Sequence, residues 1–287
     1  MPATAVGPAG KSGTFRTADG CSLGYTLTQG TEPEGLRVVL IHSLALDRSI
    51  WDEVVPHLLP HASVLAYDCR GHGTAGQMPG PYTLELFASD LAQLLDHLGW
   101  RDVVVAGCSM GGCIAQAFAG LHPDRTVGLG LIDTTAWYGA DAPKAWRERA
   151  DVGRTKGLAG LIDFQATRWF GDRFRAERPD KVEAMKRVFL RNDIDCYVAT
   201  CEMLGDADLR HYLPRLAMPV SVIVGEEDYA TPVSAAEALV GSLADAEMTV
   251  LPEARHITPV EAPERIAAEL AKLLGRCRRT VQSSAKL

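Results

Sequence analysis

The chain has 287 residues, of which 47% are hydrophobic and 23% charged, and its formal net charge at pH 7 is −7. This length suits one α/β domain, and the acidic balance argues against nucleic-acid binding, which depends on clustered Lys and Arg. No apolar run reaches the ~18 residues that cross a bilayer, and the N-terminus lacks the pattern of a secretory signal. We therefore expect neither a nucleic acid nor a membrane as partner.

The seven cysteines predict neither a disulfide framework nor a metal site. None forms a CxxC pair or a Cys/His cluster with zinc spacing. Scattered thiols of this kind are typical of a reduced, cytoplasmic protein. We expect no metal and no organic cofactor.

Short apolar runs alternate with amphipathic stretches, which is typical of a parallel sheet covered by helices. A weak antiparallel hairpin comes first, over residues 13–17 and 22–28. Six strands of nearly continuous apolar residues follow, at 38–42, 63–68, 102–107, 127–133, 220–225 and 247–251. The pattern predicts helices at 84–98, 110–121 and 263–274. The predicted fold is a mostly parallel, eight-stranded sheet flanked by helices.

One long stretch interrupts this alternation between the sixth and seventh strands. It contains helical pieces rich in aromatic side chains and no convincing strand. Such an insertion predicts a helical cap over one end of the sheet. The predicted organisation is a flexible lead (1–12), an α/β core (13–135 and 214–275), a helical cap (136–213) and a flexible tail (276–287).

A nucleophile elbow follows the strand at 102–107. The sequence Gly107-Cys108-Ser109-Met110-Gly111 is a G-x-S-x-G motif between a strand and a helix. The glycines permit a sharp, crowded turn that exposes the serine hydroxyl at the end of the strand. Ser109 is therefore the predicted nucleophile.

A serine hydroxyl needs a base that is oriented by a third group. His256 lies between the last strand and the last helix, and Asp228 follows the strand at 220–225. The order Ser…Asp…His is the one that this architecture uses. We predict Asp228 as the acid, although Asp133 also ends a strand and remains an alternative, as do Glu226 and Glu227.

The oxyanion hole of such a site combines two backbone N–H groups. One belongs to the residue after the nucleophile, and the other lies in the loop after the strand at 38–42. These positions are Met110 and Leu44.

From about residue 14 to 274, the chain resembles the α/β-hydrolase superfamily, as in the segment YDCRGHG at 67–73. It is most similar to the 3-oxoadipate enol-lactonases, through HSLALDRSIWD (42–52), GPYTLELFASDLAQLLDHLG (80–99) and DTTAWYG (133–139). The enol-lactonase pattern more often has Asn-Ser-Leu-Gly where this chain has His-Ser-Leu-Ala, at 42–45. The resemblance implies that the triad is Ser109, Asp228 and His256. It also implies that Trp137 lines the substrate pocket, and we assign substrate contacts to His42, Ser43 and Trp137.

The function that we expect is hydrolysis of a small-molecule ester or lactone, such as 3-oxoadipate enol-lactone, through an acyl-enzyme. A lactone of that kind carries a carboxylate, which arginines of the cap could bind. The candidates are Arg147, Arg149 and Arg168. For each of them, a solvated position on the surface of the cap is the alternative. A perhydrolase or haloperoxidase without cofactor, or a carbon–carbon bond hydrolase, would use the same triad. A non-catalytic binding protein is disfavoured because no triad member is missing.

Localisation is expected to be cytoplasmic. The C-terminal Ala285-Lys286-Leu287 is close to a peroxisomal address, which would matter only in a eukaryote.

Overall fold

The computed structural model describes residues 10–32 and 35–284. Within them the chain forms one eight-stranded sheet. Its strands are β1 (Lys11–Arg16), β2 (Ser22–Thr28), β3 (Leu36–Ile41), β4 (Ala62–Tyr67), β5 (Val103–Cys108), β6 (Thr126–Ile132), β7 (Val220–Gly225) and β8 (Ala246–Leu251).

The strand order is β1-β2-β4-β3-β5-β6-β7-β8. β1 and β2 form an antiparallel hairpin that pairs with β4, and all later pairings are parallel. All residues of β4, β5 and β7 are buried, which explains their nearly continuous apolar sequences. Parallel pairing brings the carboxyl ends of β5, β7 and β8 to one edge of the sheet. The predicted fold class is confirmed.

Helices cover the sheet and connect its strands. α2 and α3 pack against each other, α3 also contacts β5 and β6, and α11 packs on β6 and β7. The helices outside the stretch between β6 and β7 are α1 (Val55–Leu58), α2 (Leu84–Leu98), α3 (Met110–Leu121), α9 (Val233–Ser242), α10 (Thr258–Glu261) and α11 (Pro263–Ser284).

The stretch between β6 and β7 is helical, as its sequence predicts. We call residues 142–205 the helical insertion; it contains α4 (Ala142–Lys156), α5 (Ile162–Trp169), α6 (Asp172–Glu177), α7 (Pro179–Leu190) and α8 (Ile194–Gly205). α4 packs along α8, and an aromatic cluster of Trp169, Phe189 and Tyr197 joins α5, α7 and α8. This cluster gives the insertion an apolar interior of its own.

The C-terminal boundary differs from the prediction. α11 continues to Ser284, so it includes residues 276–284, which the sequence assigns to a flexible tail. The reason is continued packing: Cys277 is fully buried, and Arg276 donates a hydrogen bond to the carbonyl of Val220 (3.0 Å). At the other end, β1 begins at Lys11, inside the predicted lead. Residues 1–9 and the C-terminal Ala-Lys-Leu lie outside the described residues.

Candidate active site

Ser109 occupies a strained turn between β5 and α3. Its φ is +54°, a left-handed conformation that is costly for a residue with a side chain. A β-carbon at Gly107 would overlap the backbone of Gly111, and one at Gly111 would overlap the carbonyl of Ile41. Both glycines of the motif are therefore sterically required. The turn leaves the Ser109 side chain at the carboxyl edge of the sheet, beside the N-terminus of α3.

The structure brings Ser109, His256 and Asp228 into one hydrogen-bonded chain. His256 Nε2 is 3.0 Å from Ser109 Oγ, and His256 Nδ1 is 2.7 Å from Asp228 Oδ2. Because a carboxylate can only accept, Nδ1–H donates the hydrogen bond to Asp228, and Nε2 is left as the acceptor for the serine hydroxyl. All three residues are buried, with Ser109 at 7% and His256 at 6% exposure.

Asp228 is held as an anion by neighbouring donors. Burial alone would raise its pKa, but His256 and the hydrogen bonds from Thr231 lower it below the ordinary value. Asp228 Oδ1 accepts from the N–H groups of Ala230 (2.7 Å) and Thr231 (3.0 Å), and Oδ2 accepts from Thr231 Oγ1 (2.8 Å). These contacts fix the carboxylate where it can orient the imidazole.

Asp133, the alternative acid, has other partners. Its Oδ2 accepts from Thr258 N (3.0 Å) and Thr258 Oγ1 (2.6 Å), and its Oδ1 accepts from Gly225 N (3.1 Å). Burial, and then the nearby charge of Asp228, raise the pKa of Asp133 well above the usual value. Asp133 therefore ties the end of β6 to β7 and α10.

The two adjacent glutamates also have other partners. Glu227 pairs with Arg255 at 2.8 Å, and Glu226 accepts from the N–H of Glu253 at 3.2 Å. The geometry favours Asp228 over all three alternatives.

The loop after β3 forms a tight turn over residues 43–46, which we call the oxyanion turn. Leu46 N donates to Ser43 O (3.2 Å), and Ala45 has a φ of +57°. Within the described residues, the N–H groups of Leu44 and Met110 have no hydrogen-bond acceptor assigned. Both residues adjoin Ser109 or line its cleft, as expected for two oxyanion donors.

His42 lies behind this turn and does not line the cleft. It is fully buried; Nε2 accepts from Cys69 N–H (2.9 Å), so Nδ1 carries the proton and donates to Ser43 O (2.8 Å). Ser43 O belongs to the same peptide unit as Leu44 N–H, so His42 orients that N–H. The structure does not place His42, a predicted substrate contact, on the cleft, since both of its ring nitrogens bind the protein backbone; Ser43 does line the cleft.

The helical insertion and the segment before it form the far wall of the cleft. Its residues are Tyr138, Trp146, Arg149, Gln165, Arg168 and Trp169, and the near wall includes Ser43, Leu44, Ser109, Ala230, Thr231 and His256. Trp137 is 38% exposed and stacks under Arg210, at 3.9 Å from the ring centre. The structure does not place Trp137, a predicted substrate contact, on the cleft: its backbone bridges to Asp208, and the next residue, Tyr138, lines the cleft.

Two guanidinium groups of the far wall have no carboxylate partner in the part of the chain that the structure describes. Arg149 Nε donates to the hydroxyl of Tyr197 (2.8 Å), and within the described residues neither Arg149 nor Arg168 forms an ion pair. Burial, and then the charge of Arg149, lower the pKa of Arg168. The third candidate, Arg147, is exposed. Two unneutralised cations near the serine favour an anionic group in the ligand.

Sequence reasoning missed several residues of this wall. Gln165 and Trp169 lie on α5, and Trp146 on α4, in segments whose sequence shows only helical character. Thr231 could have been predicted from its spacing to Asp228. An Asp followed three residues later by Thr is typical of a local turn in which the carboxylate accepts backbone N–H groups.

The described residues contain neither a candidate metal site nor a membrane-spanning helix. In that part of the chain, no group of three or more His, Cys, Asp or Glu side chains could hold a metal ion. None of its helices is both long and apolar enough to cross a membrane.

Comparisons with known proteins agree with this geometry. A family model described as the α/β hydrolase fold matches residues 37–263. A 3-oxoadipate enol-lactonase of Acinetobacter baylyi is 33% identical over 249 residues, covering 86% of this chain and 91% of the relative. The structure of an enol-lactonase from Burkholderia xenovorans has a TM-score of 0.87 and 31% identity, covering 92% of this chain and 100% of its own. An esterase structure from Thermogutta terrifontis has a TM-score of 0.86 and 29% identity, covering 93% and 99%. This chain therefore belongs to the α/β hydrolase fold family.

Proposed function

We propose that this protein hydrolyses a carboxylic ester or lactone through an acyl-enzyme formed on Ser109. The observation that carries the proposal is the hydrogen-bonded chain from Ser109 Oγ through His256 to Asp228, at 3.0 and 2.7 Å. The similarity to an enol-lactonase over 86% of the chain supports the ester and lactone class.

Acylation begins when His256 Nε2 removes the proton of Ser109 Oγ as that oxygen attacks the substrate carbonyl. The imidazolium that forms is stabilised by Asp228, which holds Nδ1–H. The developing oxyanion accepts hydrogen bonds from the N–H groups of Leu44 and Met110, and each donor contributes about 3 kcal/mol of transition-state stabilisation. The N-terminus of α3 adds a favourable partial positive charge.

The C–O bond of the tetrahedral intermediate then breaks. His256 donates its proton to the departing oxygen, and a lactone substrate remains attached as one acyl chain. For an enol-lactone the departing group is an enol, which becomes a ketone. A water molecule gives a proton to His256 as its oxygen attacks the acyl carbonyl. The bond from the acyl carbon to Ser109 Oγ then breaks, and His256 returns the proton to Oγ while the acid product leaves.

Arg149 and Arg168, which form no ion pair within the described residues, support a narrower substrate class. A carboxylate bound between two partly buried guanidinium groups gains charge-assisted hydrogen bonds and removes their repulsion. We therefore propose a substrate that carries a carboxylate as well as the scissile ester, with 3-oxoadipate enol-lactone as the first compound to test. The helical insertion, which supplies both arginines, then acts as the cap of the site.

The test is turnover of 3-oxoadipate enol-lactone and of p-nitrophenyl acetate, with the Ser109→Ala variant as control. We expect wild-type activity on at least one ester, loss of that activity in the variant, and labelling of Ser109 by a fluorophosphonate. Label on another residue, or full activity of Ser109→Ala, would overturn the proposal. Assays for perhydrolysis, halogenation and carbon–carbon cleavage distinguish the other chemistries of the same triad.

A further inference from the structure

Asn192, the second residue after α7, connects the helical insertion to the oxyanion turn. Its side-chain Nδ2 donates to the carbonyl of Ala45 at 2.7 Å, and also lies 3.1 Å from Val188 O and 2.9 Å from Phe189 O. Three carbonyl oxygens around one amide atom identify that atom as the nitrogen, because the reversed amide would place oxygen against all three.

Of the three carbonyl oxygens, Ala45 O is the one that relies on the Asn192 side chain for its hydrogen bond. Val188 O already accepts from Arg191 N–H, and Phe189 O accepts from Asn192 N–H, both at 3.2 Å. Among the described residues, Asn192 Nδ2 is the only donor assigned to Ala45 O. The other amide atom, Asn192 Oδ1, is buried and has no hydrogen-bond partner among the described residues, which is the energetic cost of this arrangement.

Ala45 is the strained position of the turn. Its φ of +57° suits glycine and disfavours a residue with a β-carbon, and the residue is fully buried. The turn is held from two sides: His42 binds Ser43 O on the side of the core, and Asn192 binds Ala45 O on the side of the insertion. The Leu44 N–H lies between these two carbonyls along the backbone.

We propose that Asn192 is a positioning residue for the oxyanion hole, so that the helical insertion helps to build the catalytic centre as well as the substrate pocket. The inference rests on the proposed function, because it concerns the donor that Leu44 supplies to the reaction. Without the Asn192 amide, the Ala45 peptide relaxes toward a negative φ, and the Leu44 N–H rotates away from the oxyanion.

The experiment compares Asn192→Ala with Arg191→Gln. Arg191 is the matched control because it joins the same helix end to the same loop, through a 3.4 Å ion pair with Asp47, but its side chain is 70% exposed. For each protein, kcat and KM are measured on the best ester found for the wild type, with the thermal unfolding midpoint. Inhibition constants are measured for a boronic acid, which mimics the tetrahedral intermediate, and for the product acid, which does not.

We expect kcat of Asn192→Ala to fall by about 10- to 100-fold, less than the ~10²–10³ that loss of a whole oxyanion donor costs. The boronate should bind more weakly by a similar factor, whereas KM and product-acid affinity stay within about threefold. Arg191→Gln should match the wild type.

Two results would overturn the inference. A lower unfolding midpoint with unchanged kcat would show that Asn192 serves only the helix end. Equal weakening of boronate and product acid would show a general pocket effect. If Asn192→Ala does not fold, Asn192→Ser, which keeps a short polar side chain, is measured in the same way. Absence of wild-type esterase activity is a separate outcome that rejects the proposed function instead.

Discussion

The carbonyl of Trp169 accepts a hydrogen bond from the backbone N–H of His256 at 3.0 Å, and Ile257 N–H binds the same oxygen at 3.0 Å. Trp169 ends α5 and lines the cleft, whereas His256 belongs to the loop after β8. Glu261 strengthens the link, since its carboxylate accepts from Gly171 N (2.8 Å) and Arg255 N (2.7 Å). The histidine loop and the end of α5 therefore form one hydrogen-bonded unit.

Arg255 is the side chain that spans this unit. Its Nη1 donates to Thr167 O (2.8 Å) and Phe170 O (3.1 Å). We expect Arg255→Ala to lower the free energy of unfolding by about 1–3 kcal/mol, because carbonyls at the end of α5 lose a charged donor. We expect kcat to fall as well, since His256 is the next residue. Urea unfolding and steady-state kinetics measure the two effects.

The control for this prediction is Arg173→Gln. Arg173 pairs with Glu177 and Glu253 at 3.0 Å, but its side chain is 71% exposed, so the pairs contribute little. Unchanged stability and unchanged kcat in Arg255→Ala would show that Arg255 does not hold the loop of His256 against the end of α5.

Substitutions of the two buried aspartates at the carboxyl edge should have different effects on kcat and on stability. Asp228→Asn removes the anion that orients His256, and we expect kcat to fall by about 10⁴-fold with the fold intact. Asp133→Asn leaves His256 and Asp228 in contact but disturbs the bonds to Thr258 and Gly225, so we expect about 1–3 kcal/mol less stability and a modest kinetic effect. The reverse pattern would assign the acid to Asp133. Steady-state kinetics and chemical denaturation of both variants decide between them.

The carboxylate preference should depend on Arg168. We expect Arg168→Gln to lower kcat/KM by about 10- to 100-fold for an ester that carries a carboxylate, because a charge-assisted hydrogen bond is lost. A neutral ester with the same acyl group should change by less than about threefold. Arg147→Gln, on the exposed side of α4, is the control. Equal losses on both esters would show that Arg168 supports the fold of the pocket and does not bind the anion.

The hydrogen-bonded chain of Ser109, Asp228 and His256 could be predicted from sequence because each residue follows a strand with a strong apolar pattern. The carboxyl ends of parallel strands lie at one edge of the sheet. Ser109, Asp228 and His256 therefore lie close together regardless of the sequence between them. The glycines at 107 and 111 indicated the elbow in the sequence, and in the structure a β-carbon at either position would overlap backbone atoms.

The far wall of the cleft was not accessible in the same way. Whether Trp137 or Tyr138 faces the site depends on one bridge to Asp208, a contact 71 residues away in the chain. The role of His42 depends on which backbone groups meet its two ring nitrogens, and its sequence position indicates only proximity to the oxyanion turn. Long-range contacts, which local patterns do not encode, decide both positions.

Ala45→Gly should stabilise the protein. Glycine adopts the φ of +57° found at this position without the strain of a β-carbon, which outweighs the added freedom of the unfolded chain. We expect a gain of about 0.5–1 kcal/mol in the free energy of unfolding, measured with urea. Ala236→Gly, within α9, should instead lose about 1 kcal/mol, because glycine is unfavourable inside a helix. A loss in both variants would mean that the Ala45 methyl group contributes more by packing than it costs in strain.

Stability should fall as the pH drops below about 6.5, because the fold keeps two histidines neutral. Burial, and then the charge of His42, lower the pKa of His72 from 6.5 to about 3. Burial also lowers the pKa of His42, whose Nε2 must remain an acceptor for Cys69 N–H. Below pH 6.5 the unfolded chain binds protons at these histidines that the folded chain does not bind. The stability that comes from neutral His72 is therefore fully present above pH 6.5 and is lost progressively as the pH falls to about 3.

The size of this effect follows from the shift of His72. Between pH 7 and 5 the group accounts for about 2 kcal/mol of lost stability, at about 1.4 kcal/mol per pH unit well below 6.5. His72→Asn keeps a donor near Arg70 O, which accepts from His72 Nδ1 at 2.9 Å, and should reduce the pH dependence of unfolding by that amount. His57→Gln replaces an exposed histidine on α1 and is the control. Urea unfolding at pH 7, 6 and 5 measures the slopes, and identical slopes for wild type and His72→Asn would show that His72 is protonated within the folded protein.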